Sequence, residues 1–150
     1  MKDNREYQIK LMSALAKVFP GQEPEEDPCC TGFTMLRGET FSFVAAYTCG
    51  GGDGGRGNFD AVVRVESPAA EYCRIREIVP VPSLRPVNSC ADSNYLRTQP
   101  GMYPDLLTEP AGGRITFTPG QFKSLWIDVE IPENDRKNPA FESGHIYRRI

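Results

Sequence analysis

The chain has 150 residues, of which 39% are hydrophobic and 25% are charged, as in a soluble globular protein of about one domain. Its formal net charge is -3 and its lysines and arginines are scattered, which argues against nucleic acid or an anionic membrane as a partner. With 14 glycines and 13 prolines, the composition favours short strands and turns over a helical bundle.

The apolar stretches and the cysteines both indicate a cytoplasmic protein. Uninterrupted apolar runs are only a few residues long, whereas a membrane span needs about 20. The N-terminus carries charges of both signs and no apolar core of a signal peptide follows it. The cysteines are odd in number and lack the spacing of a disulfide framework, so we expect reduced thiols at Cys29, Cys30, Cys49, Cys73 and Cys90.

The first predicted element is a strand from about Tyr7 to Leu15, where apolar and polar residues alternate with period 2. A helix is the competing interpretation, because Leu11, Met12, Leu15 and Val18 also share one helical face. The segment that follows holds three prolines and four acidic residues between Pro20 and Pro28, so neither a helix nor a ladder can continue. We expect residues 20–30 to form a solvated acidic linker.

The remaining alternating segments predict an all-β domain. In the last of them, Leu125, Ile127, Val129 and Ile131 should face the core, and Ser124, Trp126, Asp128 and Glu130 should face solvent. Short strands with turns between them and no interleaved helices predict a single antiparallel β-sandwich over residues 1–150, resembling an immunoglobulin or jelly-roll fold. The predicted strands are Glu39–Cys49, Phe59–Glu66, Tyr72–Val81, Arg114–Thr118 and Phe122–Ile131.

Most residue patterns that could carry chemistry are better explained by structure, so we predict no cofactor, metal or catalytic residue. The glycine-rich loop from Cys49 to Asn58 lacks the Lys-Ser or Lys-Thr and the following helix that a phosphate-binding loop requires. Only Cys29 and Cys30 are close enough in sequence to be considered as paired zinc ligands, and they are adjacent. The carboxylates of Asp128 and Glu130 alternate along a strand face, where such groups usually only meet solvent.

The segment from residue 82 to residue 110 is long for a simple connection and should be an ordered loop. Its second half concentrates apolar and aromatic residues, which could form a protein interface, bind a sugar, or fold down onto the sheet. The candidates for an interface or a ligand site are Tyr95, Leu96, Arg97, Met102, Tyr103, Asp105 and, from the last strand, Trp126.

Several segments in order give the chain a resemblance to a known family. They are residues 63–68, 78–82, 94–107 and 120–132, with a looser match over residues 36–43. Together they resemble the N-terminal β-sandwich domain of bacterial proteins related to glycoside hydrolase family 123. In that family the chemistry lies in a barrel behind the sandwich, and its signature there is an adjacent Asp-Glu pair. This chain has only the reverse order, Glu26-Asp27, in the predicted linker.

The resemblance implies a noncatalytic accessory domain that supports or positions a glycosidase barrel. A free-standing carbohydrate-binding module, in which Trp126, Tyr95 or Tyr103 stacks on a sugar, is the alternative, and a free-standing enzyme is a third. Members of the family usually close the sandwich with two further strands, of which residues 142–147 would begin the first. We therefore expect a sandwich that lacks its last strands and self-associates through the exposed edge or through exchange of its C-terminal segment.

Overall fold

A computed structural model describes residues 6–25, 27, 30, 32–50, 57–85, 95–133 and 144–145. Five antiparallel strands form the main sheet, in the order β1-β3-β8-β5-β6. Two short ladders, β2-β9 and β4-β7, complete the described strands. The bounds are β1 Tyr7–Ser13, β2 Gly32–Phe33, β3 Thr40–Cys49, β4 Phe59–Val62, β5 Cys73–Ser83, β6 Gly101–Thr108, β7 Arg114–Phe117, β8 Lys123–Glu130 and β9 Gly144–His145. The predicted all-β, sandwich-like class is confirmed.

The main core lies on one face of the sheet, which we call the inner face. Residues at every second position of β3 and β8 pack there, because successive side chains of a strand point to opposite faces. The ladder sets Phe43 opposite Ile127 and Ala45 opposite Leu125. This core consists of Phe43, Ala45, Tyr47, Cys49, Ile115, Phe117, Leu125, Ile127 and Val129, all buried.

The β4-β7 ladder forms a second layer over this inner face. Phe117 of β7 lies parallel to Phe59 of β4, with ring centroids 5.2 Å apart. Its ring also meets Tyr47 of β3 at 4.9 Å and Tyr7 of β1 at 5.5 Å, both edge to face. Aromatic pairs in these geometries add to the free energy of burial, so Phe117 joins the two layers.

The opposite, outer face of the sheet is also partly covered. The segment 14–25, which we call the strap, folds back over it and buries Val18 against Met12, Val44 and Ala46. Pro24 is buried as well, and the backbone N–H of Asp27 donates to Leu11 O at 3.2 Å. In the predicted solvated linker over residues 20–30, Gly21, Gln22, Glu23 and Glu25 are exposed as expected, but the contacts of Pro24 and Asp27 hold its described part against β1.

The strap also explains a difference on β8. Ser124 and Trp126 were predicted to face solvent, yet Ser124 is 1% exposed and Trp126 packs against the cluster below the strap. Glu130 is exposed as predicted. An alternating pattern separates the two faces of a strand but does not show what covers each face. The pattern of β8 therefore does not predict the buried cluster below the strap.

The predicted loop over residues 82–110 contains a strand. Residues Gly101–Thr108 form β6 and pair with β5, which itself runs on to Ser83. The prolines between residues 82 and 110 argue for a loop, because proline cannot donate to a ladder. Here Pro80 and Pro82 lie beyond the last residue that pairs with β8, and Pro104 lies on the edge strand, where each is tolerated.

The other strands agree with the sequence to within a few residues. The first is a strand and not a helix, and it ends at Ser13, whose carbonyl accepts the Ala16 N–H in a turn. The predicted strand Phe59–Glu66 ends earlier, at Val62. Of the predicted closing strand at 142–147, only Gly144–His145 is described, and it pairs with β2. The glycine cluster at 51–56, Cys29 and Cys90 lie outside the described residues.

Candidate docking surface at the edge of the sheet

Exposed apolar side chains occur on edge strand β6 and in the segments next to it. Met102 and Leu106 belong to β6, Leu84 follows the end of β5, and Tyr95 and Leu96 precede β6. Leu96 is 78% exposed and Leu84 is 83% exposed, whereas large apolar side chains are usually buried. We call Leu84, Tyr95, Leu96, Met102 and Leu106 the edge surface. Three of the sequence candidates, Tyr95, Leu96 and Met102, are part of it.

The segment 95–100 is held by Tyr103, which does not itself belong to the edge surface. Its hydroxyl donates to Gln99 O at 2.6 Å, and Arg97 O lies 3.3 Å away. The guanidinium of Arg97 lies over the Tyr103 ring, 5.9 Å from its centroid. A Cβ on Gly101 would stand 3.2 Å from Arg97 Nη2, so glycine leaves room for this arrangement. Tyr103 thus supports the segment that presents Tyr95 and Leu96.

Tyr103 and Arg97 also contact the strap. The Phe19 ring meets Tyr103 edge to face at 5.9 Å, and the Arg97 guanidinium lies 5.3 Å from the Phe19 centroid. Cation–π and aromatic contacts of this kind fix the relative positions of side chains. Two predicted interface residues, Tyr103 and Arg97, therefore act between the strap and the edge surface.

Trp126 and Asp105, the remaining candidates, line a shallow hollow beneath the strap. The hollow measures about 80 Å³, which is well below the roughly 300 Å³ at which small-molecule pockets begin. Asp105 is the extra residue of the irregularity where Val79 pairs with Leu106 and Pro80 with Pro104. The other residues that line the hollow are Ala14, Ala16, Lys17, Val18, Ile78, Pro104 and Leu107.

A polar network that sequence reasoning missed centres on Asp128. Ser42 Oγ and Trp126 Nε1 both donate to Asp128 Oδ1 at 2.6 Å, and Arg76 forms an ion pair with Oδ2. Desolvation acts to raise the pKa of Asp128, but these three hydrogen bonds and the charge of Arg76 outweigh it and lower the pKa. The alternating strand pattern predicts that Asp128 only meets solvent, whereas the structure makes it the acceptor at the centre of this network.

A second ion pair lies beside this network on the surface. Arg74, one pleat along β5 from Arg76, pairs with Glu109, and both side chains are largely exposed. The hydrogen bond and charge of Arg74 lower the pKa of Glu109. Exposed pairs of this kind contribute little to stability because water screens them.

Two groups with raised pKa values lie on the inner face. Burial, together with the charge of nearby Glu77 and a hydrogen bond to it, raises the pKa of Tyr47. Burial also raises the pKa of the Cys73 thiol, which is not in a disulfide and donates to Ala69 O at 3.2 Å. A nucleophile is activated by a lowered pKa, so the shift at Cys73 is opposite to activation.

No family model matches this chain. No curated protein matches it either. In the part of the chain that the structure describes, no group of three or more histidine, cysteine or acidic side chains is placed to hold a metal ion. The same described residues contain no helix long and apolar enough to cross a membrane.

Proposed function

We propose that this chain is a noncatalytic accessory domain that docks onto a second domain through the edge surface. The observation that carries the proposal is that five of the nine exposed large apolar side chains among the described residues lie on or next to β6, because a concentration of such side chains is typical of an interaction site. The sequence resemblance to the front domain of family 123-like glycoside hydrolases supports a catalytic barrel as the partner.

Docking through side chains fits β6 better than addition of a further strand. An added strand needs an uninterrupted row of backbone N–H and C=O groups along the edge. Pro104 removes one N–H from the row, and the register shift at Asp105 breaks its regularity. The exposed side chains of Met102 and Leu106 flank this interruption; Met102 pairs with Pro82 and Leu106 with Val79, so they point to opposite faces at the edge of the sheet and both remain available for contact.

Three carboxylates of the described residues, Glu23, Glu109 and Asp128, are poorly suited to act as the general acid of a glycosidase. A glycosidase general acid needs a carboxyl whose pKa is raised by its surroundings. The pKa values of Glu23, Glu109 and Asp128 are all lowered, and both oxygens of Asp128 already accept hydrogen bonds. These three carboxylates are therefore held in the ionised form.

We expect Leu96→Asp and Met102→Asp each to weaken binding to a family 123-type barrel, supplied as a separate chain, by about tenfold or more. A charge placed in an apolar contact must be desolvated without a partner, which opposes association. Isothermal titration calorimetry of the purified chain against the barrel measures the change. Both residues are exposed, so thermal unfolding of the two variants should remain close to that of the parent.

The matched control is Leu36→Asp. Leu36 is 70% exposed, so it resembles the residues of the edge surface in exposure. It lies before β3, near the first residues of β5, whereas the edge surface lies near the last residues of β5. Equal weakening by all three variants would contradict a specific role for the edge surface. Light scattering on the chain alone tests whether a second copy of the chain is the partner. If the chain is a dimer at micromolar concentration and Leu96→Asp dissociates it, the edge surface mediates self-association and does not bind a barrel.

The purified chain should hydrolyse aryl N-acetylgalactosaminides and other aryl glycosides no faster than a blank, because a supported acid and base pair is needed for turnover. Release of the chromogenic aryl group measures this directly. Turnover that is lost on changing a single Asp or Glu would overturn the accessory role.

A carbohydrate-binding module is the second candidate, and the exposed ring of Tyr95 is the observation that favours it. The other two proposed sugar platforms are engaged in the fold. Arg97 covers the Tyr103 ring, and Trp126 packs below the strap with its indole N–H donated to Asp128. A glycan array separates the two functions: specific binding that Tyr95→Ala abolishes would favour the module.

A further inference from the structure

The strap is fastened at the β1 side of the sheet by polar contacts. Lys10 Nζ pairs with Glu23 at 2.7 Å and donates to Pro24 O at 2.8 Å. The Phe122 N–H, just before β8, donates to Pro20 O at 3.3 Å. These contacts anchor the returning half of the strap to the body of the domain.

The outgoing half of the strap reaches across the outer face to the opposite edge. Lys17 Nζ donates to Pro104 O on β6 at 3.3 Å. Phe19 contacts both Tyr103 and Arg97, the residues that support the edge surface. Lys17 and Phe19 of the strap therefore contact residues that lie about 80 positions later in the chain.

The strap is lightly packed over the residues that leave β1, before either attachment. Val18 is 3% exposed, but Leu15 points away and is 87% exposed. Ala14 and Ala16 leave the hollow of about 80 Å³ between the strap and Trp126. A segment with few buried apolar contacts opens locally at a lower free energy than the whole domain unfolds.

We propose that the strap and the segment 95–100 open and close as one unit, so that the strap controls how the segment presents Tyr95 and Leu96 in the edge surface. If Arg97 and Tyr103 lose Phe19, the segment that carries Tyr95 and Leu96 keeps its hydrogen bond to the Tyr103 hydroxyl but loses its link to the strap. Because coupling between two sites is reciprocal, closure of the strap and docking at the edge surface would favour each other. Only this last consequence rests on the proposed docking function; the coupling itself is a property of the domain.

Limited trypsin digestion of the full chain tests the coupling from both sides. Arg97→Ala removes the contacts of the guanidinium with Phe19 and Tyr103, and should raise the rate of cleavage between Lys17 and Val18 by about threefold. In the reverse direction, Val18→Ala removes the buried anchor of the strap and should raise cleavage between Arg97 and Thr98 by about fivefold. Mass spectrometry of the fragments over time gives each rate.

Matched controls come from exposed neighbours. Leu96→Ala should leave cleavage after Lys17 unchanged, and Leu15→Ala should leave cleavage after Arg97 unchanged, because both side chains lie mainly in solvent. Cleavage between Lys123 and Ser124 in the central strand β8 reports unfolding of the whole domain. Independent cleavage rates at the two sites, or a parallel rise at Lys123, would overturn the proposal. The cleavage rates are measured without the barrel, so a failure of the barrel to bind would contradict the docking function and not the coupling.

Discussion

Phe117→Ala is expected to lower the free energy of unfolding by about 3 to 5 kcal/mol. The ring is 8% exposed and contacts Phe59, Tyr47 and Tyr7, so its loss leaves a cavity between the two layers that its neighbours cannot fill. Urea unfolding followed by circular dichroism measures the change, with the slope of the transition checked for two-state behaviour.

Val62→Ala is the control for this substitution. Val62 pairs with Arg114 in the same β4-β7 ladder, but it is 49% exposed, so its truncation should cost about 1 kcal/mol or less. Equal effects of the two variants would mean that the β4-β7 ladder does not pack on the inner face of the main sheet, and this would contradict the two-layer arrangement.

The strands that the sequence predicted best are those with a long, regular alternation. β3 and β8 lie at the centre of the sheet, and their inner-face residues, such as Phe43 and Ile127, are fixed by a period of two in both strands. The first strand was also predicted, although its helical alternative could be excluded only by its pairing with β3. Where one face of a strand must be buried, local pattern carries most of the information.

β6 and the strap could not be derived in the same way. Pro104 makes Gly101–Thr108 look like a loop, and only the pairing partner β5 reveals an edge strand. The acidic residues and prolines between residues 20 and 28 predict exposure, yet Pro24 is buried, and Val18 just before them packs on the outer face. Both features depend on neighbours far away in sequence, which composition and periodicity do not contain.

The candidate site divides in the same manner. Tyr95, Leu96 and Met102 are exposed near one edge, and exposed apolar residues in a polar segment can be noticed in the sequence. The roles of Arg97 and Tyr103 became visible only through Phe19, a residue of the strap. The Asp128 network joins positions 86 and 52 residues apart, so no spacing rule could have found it.

Asp128→Ala is expected to lower the free energy of unfolding by about 2 to 4 kcal/mol at neutral pH, because it leaves the Arg76 charge, the Trp126 indole N–H and the Ser42 hydroxyl without their acceptor. Asp128→Asn keeps one carbonyl oxygen for Ser42 and Trp126 and should cost less. Urea unfolding monitored by the fluorescence of Trp126, the single tryptophan, measures both changes. Asp60→Asn is the control: Asp60 accepts a hydrogen bond from Thr116 at 2.7 Å on the exposed side of β4, and we expect a loss of about 1 kcal/mol or less.

The same network predicts a dependence on pH. The pKa of Asp128 is lower in the folded chain than in the unfolded one, so the unfolded chain binds this proton first as the pH falls. The stabilisation is therefore fully present above the unfolded pKa, decreases below about pH 5, and is lost as the pH passes through the folded pKa. The difference in free energy of unfolding between the parent and Asp128→Asn should accordingly shrink from neutral pH towards pH 3, while the difference for a variant outside the network, Val62→Ala, stays constant. If the Asp128→Asn difference stays constant over that range, Arg76, Ser42 and Trp126 do not hold the carboxylate in its ionised form. The charge of Asp128 would then contribute nothing to the free energy of unfolding.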